Sequence, residues 1–316
     1  QVVRWVGDAL LIGNGSGNDK LLLVTPDPNG GWSEPDRVLP FSGADGFPQT
    51  TASDGDRALL SKIGGGSPLE FYRYDAMSQR LEELASLTDL SPEQSSDFGT
   101  TIALGGDIAL ATGTVGAGKR VFIHEFDGSS WSYKQTLEDP TRTDNTCFGA
   151  ALATDGDLIA VTSCLYNGNT PDVRRVYIFA RDPMTDLWGQ VTSVQREGDN
   201  ANANAFGETI RLVDRTLLVA APGLGPAAGE NGGKIFVFEP RRADDLTDWD
   251  HVTILTVPEA PSLATSRNEQ TGRFGEAMDM QKGEVVVGMY LDSIYGTNVG
   301  TAFVFKAGIG CDMGEC

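Results

Sequence analysis

The side chains of this 316-residue sequence that could do chemistry are two histidines, four cysteines and many carboxylates. His124 and His251 stand far apart, and neither belongs to an HExxH run, a His-Cys cluster or a zinc-ligand spacing. No GxSxG elbow and no Walker loop occurs. Gly64-Gly65-Gly66 and Gly223–Gly233 read as loops between strands, not as phosphate cradles ahead of helices. Carboxylates are abundant enough for a glycosidase-like pair to form on one face, but no spacing singles one out. The acidic run Asp244–Asp250, DDLTDWD, reads as a solvated loop rather than a cation cage.

The cysteines carry more information. Cys147 and Cys164 bracket an apolar hairpin whose turn is read at Asp155-Gly156. With Thr154 opposite Asp157, the two cysteines face each other on neighbouring strands, where Cβ atoms lie about 4.5–5.5 Å apart. A modest twist brings such a pair into disulfide geometry; two buried free thiols are the alternative. Cys311 and Cys316, in CDMGEC, are expected to close a small local loop or to open a further cysteine-rich module. Both pairs point to an oxidising compartment, extracellular or at the cell surface. Asn14-Gly15-Ser16 is a glycosylation sequon in an expected surface loop, and Asn145-Thr146-Cys147 is its rarer form.

The formal net charge of −20 repels a phosphate backbone and an anionic lipid surface, so neither nucleic acid nor membrane insertion is expected. No apolar run approaches the roughly 18 residues of a membrane span, and no secretory leader pattern is visible. Gln1 is compatible with a processed N-terminus.

One hairpin pattern recurs along the chain and must position whatever chemistry exists. It reads FGTTIALGGDIALA from Phe98, FGAALATDGDLIAV from Phe148, FGETIRLVDRTLLV from Phe206 and FGEAMDMQKGEVVV from Phe274. A weaker copy, FPQTTASDGDRALL, starts at Phe47, and aligning Gly7 with Gly106 places a sixth at the N-terminus without its Phe-Gly. Each unit reads as four short strands, the second nearly all apolar, as suits a strand buried on both faces. The last unit stops after Thr301–Phe305 without a fourth strand. Four-stranded repeats of this length are the sequence form of propeller blades. The expected fold is therefore an all-β propeller over residues 1–307, with six blades or alternatively seven, and a cysteine-containing tail over 308–316. A β-sandwich does not explain the repetition.

Each repeat phenylalanine is expected to wedge between adjacent sheets, and the glycine after it to allow close backbone approach. Trp32, Trp131, Trp188 and Trp249 precede the fourth strands and read as packing residues rather than ligand platforms. The short turns, taken as Gly105-Gly106 and Asp155-Gly156, supply the positive φ of a tight hairpin.

Phe98-Gly99, Phe148-Gly149, Phe206-Gly207 and Phe274-Gly275, with Ala221-Pro222 as the clearest second half, resemble the FG-GAP repeat family. These are the blades of integrin α-subunit heads and of many secreted microbial and algal proteins. The resemblance implies a propeller whose loop face engages ligands. Calcium-binding members carry longer aspartate-rich loops. Here the loops are two-residue turns with one acidic residue in or beside them (Asp107, Asp157, Asp214), whereas calcium needs about six to eight oxygens, so no calcium site is carried over. The functional expectation is a non-enzymatic extracellular adhesion, binding or structural module that engages a protein or glycan. A variant makes it one bead of a surface appendage or filament. The alternative is a carbohydrate-active propeller enzyme with paired carboxylates.

Overall fold

In a computed structural model the chain is all-β. Described are residues 2–14, 20–27, 29–33, 37–38, 50–61, 68–141, 147–167, 170–196, 206–223, 232–257, 273–281, 283–289 and 301–306. Phe47, Cys311, Cys316 and the tail over 308–316 lie outside them, as do Gly15 and Ser16 of the first sequon and Asn145 and Thr146 of the second.

The first sheet is β1 (Val2–Val6), β2 (Ala9–Asn14), β3 (Lys20–Val24) and β4 (Arg37–Val38). The second is β5 (Thr51–Asp54), β6 (Arg57–Leu60), β7 (Leu69–Asp75) and β8 (Arg80–Leu87), and the third β9 (Ile102–Gly105), β10 (Ile108–Val115), β11 (Gly118–Phe126) and β12 (Trp131–Leu137). The fourth is β13 (Leu152–Thr154), β14 (Leu158–Asn167), β15 (Thr170–Arg181) and β16 (Trp188–Gln195). The fifth is β17 (Ile210–Val213), β18 (Thr216–Ala221), β19 (Lys234–Arg242) and β20 (Asp245–Leu255), and the sixth β21 (Ala277–Gln281), β22 (Glu284–Met289) and β23 (Thr301–Lys306). In every sheet the strands lie side by side in chain order. These six successive meanders are the blades of a six-bladed β-propeller, the sixth with three strands among the described residues.

Cα packing divides the chain into two compact units, residues 1–157 with 181–188, and residues 158–180 with 189–316. Inside the first unit, Val6, Leu11 and Leu23 of blade one meet Ala58, Leu60 and Tyr74 of blade two. Leu59, Leu69 and Phe71 of blade two meet Phe98, Ile102 and Phe122 of blade three in a second cluster. Inside the second unit, Leu218, Ile235 and Val237 of blade five meet Phe274, Met278 and Val285 of blade six. The core thus sits in the seams between sheets. As the apolar runs predict, β18 is buried along its whole length, and so are the first six residues of β10.

Three local features differ from the sequence expectation. In blade three Gly105 pairs with Ile108, so the turn is Gly106-Asp107, one residue later than read. Gly106 has φ +54, the positive first position that a two-residue hairpin of this kind demands. Asn14 is the last residue of β2, paired with Lys20, rather than a loop residue. The acidic run is not a loop: Asp245–Asp250 opens β20, against β19. Cys147 and Cys164 are both disulfide-bonded, as expected.

Candidate binding surface

All four phenylalanines of the Phe-Gly repeats are buried; Phe98 lies in the seam of blades two and three, Phe274 in that of blades five and six, and Phe206 packs on Phe236 and Phe238 of its own blade. The following glycines tie each hairpin to its own second strand: Gly99, Gly207 and Gly275 donate their N–H to the carbonyls of Thr112, Ala220 and Gly288 at 2.8, 2.8 and 3.2 Å. Their other side faces the preceding blade. Gly149 has φ +80, and a Cβ there would stand 2.4 Å from Thr112 Cγ2 and 3.1 Å from Val121 Cγ2 of blade three. The Thr162 hydroxyl of blade four donates to the Gly207 carbonyl at 2.9 Å. Phe98, Gly99, Gly149, Gly207, Phe274 and Gly275 are therefore structural fasteners, and Phe148 and Phe206 are buried core residues.

Within each unit, charged side chains also join neighbouring blades. In the first unit, Gly7 N–H donates to the Gly55 carbonyl at 2.6 Å and Gly106 N–H to Asp54 Oδ2 at 2.8 Å. Arg57 bridges Asp107 at 2.8 Å and Asp54 at 3.8 Å. Lys134 and Arg181 share Asp186, whose carboxyl is pulled down to about 2 chiefly by its hydrogen bonds from these cations. In the second unit, Arg211 bridges Asp279 at 3.2 Å, and Arg273 holds Glu208 at 2.7 Å and Glu276 at 2.5 Å. The acidic stretch at the head of β20 is likewise taken up locally. Arg241 binds Asp250, and Asp245 takes the Thr247 hydroxyl and Arg242. Among the described residues no group of three or more His, Cys, Asp or Glu side chains could hold a metal ion.

The two histidines occupy matching cross-strand pairs. His124 on β11 lies opposite Tyr133 on β12, while in blade five Phe238 on β19 lies opposite His251 on β20. His124 meets Phe98 edge-on at 5.7 Å, and His251 meets Phe238 at 5.4 Å. They serve as aromatic spacers. His124 is fully buried and neither ring nitrogen finds a partner among the described residues. Burial pushes its pKa down to about 4, against the opposing pull of the Asp89 charge and the Phe122 backbone. Unfolding between about pH 4 and pH 6.5 therefore takes up a proton. The stabilising contribution is whole above about pH 6.5 and is lost as pH falls toward 4, roughly 3 kcal/mol in all. Replacing His124 by Phe, the residue blade five carries at the matching place, is expected to remove that part of the acid slope. Urea denaturation of H124F and the parent at pH 7 and pH 4 measures it; parallel slopes would refute the assignment.

The tryptophans do not behave alike. Trp131 and Trp188 begin β12 and β16 and are 7% and 3% exposed. Trp249 is half-buried in mid-strand, its indole N–H donated to the Leu246 carbonyl at 2.9 Å. Trp32 is 47% exposed and rests on Trp5 with ring centroids 5.8 Å apart at 47°. Each of Trp32, Trp131 and Trp188 follows a turn capped by an aspartate. Asp27 accepts the Asn29 N–H, Asp127 the Ser129 and Ser130 N–H groups, and Asp182 the Met184 N–H. The residues between each aspartate and its tryptophan form a turn, so their number does not set the face of the ring, and no sequence signal marks Trp32 apart.

No family model matches the chain and no curated protein is found as a relative. Solved structures are similar in fold. A candidate 6-phosphogluconolactonase from Bacteroides uniformis superposes with a TM-score of 0.51 at 15% identity, covering 81% of this chain and 70% of that one. A second, from Bacteroides fragilis, has a TM-score of 0.50 at 14% identity over 81% and 69% of the two chains. At such identity the likeness is one of fold.

Proposed function

We propose that this chain is a non-enzymatic extracellular module that presents a binding surface to a protein or glycan, in the manner of the FG-GAP propellers its repeats resemble. The observation that carries the reading is the contrast among the tryptophans. Where blades three and four bury this ring, blade one holds it out on a second indole. The disulfide-bonded Cys147 and Cys164 suit an oxidising setting. The repeat motif and many of the charged side chains described above serve the seams between blades, and the surface around Trp32 is the recognition surface of this reading. The test is binding of the purified chain to extracellular glycans and matrix proteins, alongside an assay for polysaccharide breakdown. Saturable binding without breakdown is expected. A second reading, a carbohydrate-active enzyme, draws on Glu208 and Glu276 converging on Arg273. Metal-independent polysaccharide turnover that is lost in E208Q would favour it and sink the first.

A further inference from the structure

We infer that Trp32 and Trp5 form a stacking site for one pyranose ring of a neutral glycan, an inference that rests on the binding reading above and names its ligand. Trp32 is the single exposed Phe, Tyr or Trp side chain among the described residues. An indole presents a flat apolar face with a partial negative charge, which suits the slightly positive C–H face of a pyranose.

Three features make it a prepared surface rather than a stray side chain. Trp5, half-buried on β1, lies against Trp32 and restricts its rotation, so little ordering remains to be done when a sugar arrives. The approach is tied down: Asp27 N–H donates to the Gly31 carbonyl at 3.0 Å, and Gln79 of blade two donates to the Pro26 carbonyl at 3.1 Å. Beside the ring, Gly30 and Gly31 leave open space, with no atom of the described residues within 4 Å of where a Cβ would sit.

Charge selects among glycans. The turn next to the ring carries Asp27, and the whole chain carries −20, so uronate and sulfate chains are repelled. Asn29, exposed in the same turn, can donate to and accept from sugar hydroxyls. A protein partner fits less well, because stable protein interfaces cover roughly 800 Å² per side. Here a single ring stands among glycines and polar groups.

The test is a titration of intrinsic fluorescence with neutral oligosaccharides (gluco-, manno- and galacto-series), with alginate and heparin as anionic comparators. The parent is expected to bind a neutral series with a change in emission, W32A to bind it at least about tenfold more weakly with that change gone, and W32F to fall between them. Far-UV circular dichroism checks that the variants fold. A neutral glycan bound equally by parent and W32A overturns the site and leaves the binding module standing. Preference for the anionic chains, or no neutral glycan bound at millimolar concentration, also overturns it. Cleavage of the glycan overturns both readings.

Discussion

Truncating Phe274 to alanine is expected to cost about 3–5 kcal/mol of stability, the range seen when a fully buried phenylalanine is removed from a core. Phe274 is wholly buried, with the rings of Phe303 and Phe305 at 5.8 and 5.9 Å. Its neighbours belong to two blades, Leu218, Ile235 and Val237 on one side and Met278 and Val285 on the other. The void left by the ring would lie in the seam. Neither sheet can fill it without moving as a body, so relaxation is limited and the upper half of the range is expected. Urea denaturation of F274A against the parent reads the effect directly. A loss under about 1 kcal/mol would mean that the repeat phenylalanine is not the wedge between blades.

The glycine partner gives the second large effect. G149A is expected to lose about 2–5 kcal/mol, from two sources that add. Alanine is strained by roughly 1–2 kcal/mol in the left-handed region, and overpacking costs about 1–3 kcal/mol. Gly149 has φ +80 and the new methyl would meet Thr112 Cγ2 at 2.4 Å. That methyl cannot swing aside, because the Thr112 hydroxyl accepts the Thr101 N–H at 2.9 Å and donates to the Thr101 carbonyl at 3.3 Å. Gly275 is the control: its φ is +93, but the nearest atoms, Ala220 Cβ and Ile235 Cγ1, are 3.1 Å away. G275A should therefore be milder than G149A under the same denaturation protocol. The reverse order would show that backbone strain alone, not the approach of the preceding blade, selects glycine.

The architecture was legible because it is written several times over. Recurrent Phe-Gly starts, apolar second strands and short turns all agree, and agreement between local signals is what makes a fold readable. Finer features were lost for identifiable reasons. Gly105-Gly106-Asp107 offers two possible two-residue turns, and only pairing across the hairpin chooses the later one. DDLTDWD looks like a loop because much of β20 is solvated, so polar residues occur on both parities of the strand. The bulges between Ile123 and His124 and between Val237 and Phe238 leave no compositional trace, since no glycine or proline marks them. Trp32 carries the same residue type and the same aspartate-capped turn as Trp131 and Trp188, so its exposure is not written in the local sequence and shows only in the packing.

The fasteners have a direction. Gly99 and Gly149 reach back onto blades two and three, as Gly207 and Gly275 reach back onto blades four and five. Each lies C-terminal to the sheet it grips, so its docking surface has already been synthesised when it leaves the ribosome. A nascent chain can lock one blade at a time onto the last, without waiting for distant sequence, and each added sheet covers apolar surface that would otherwise stay open to aggregation. In this protein the order of synthesis and the order of assembly can be the same.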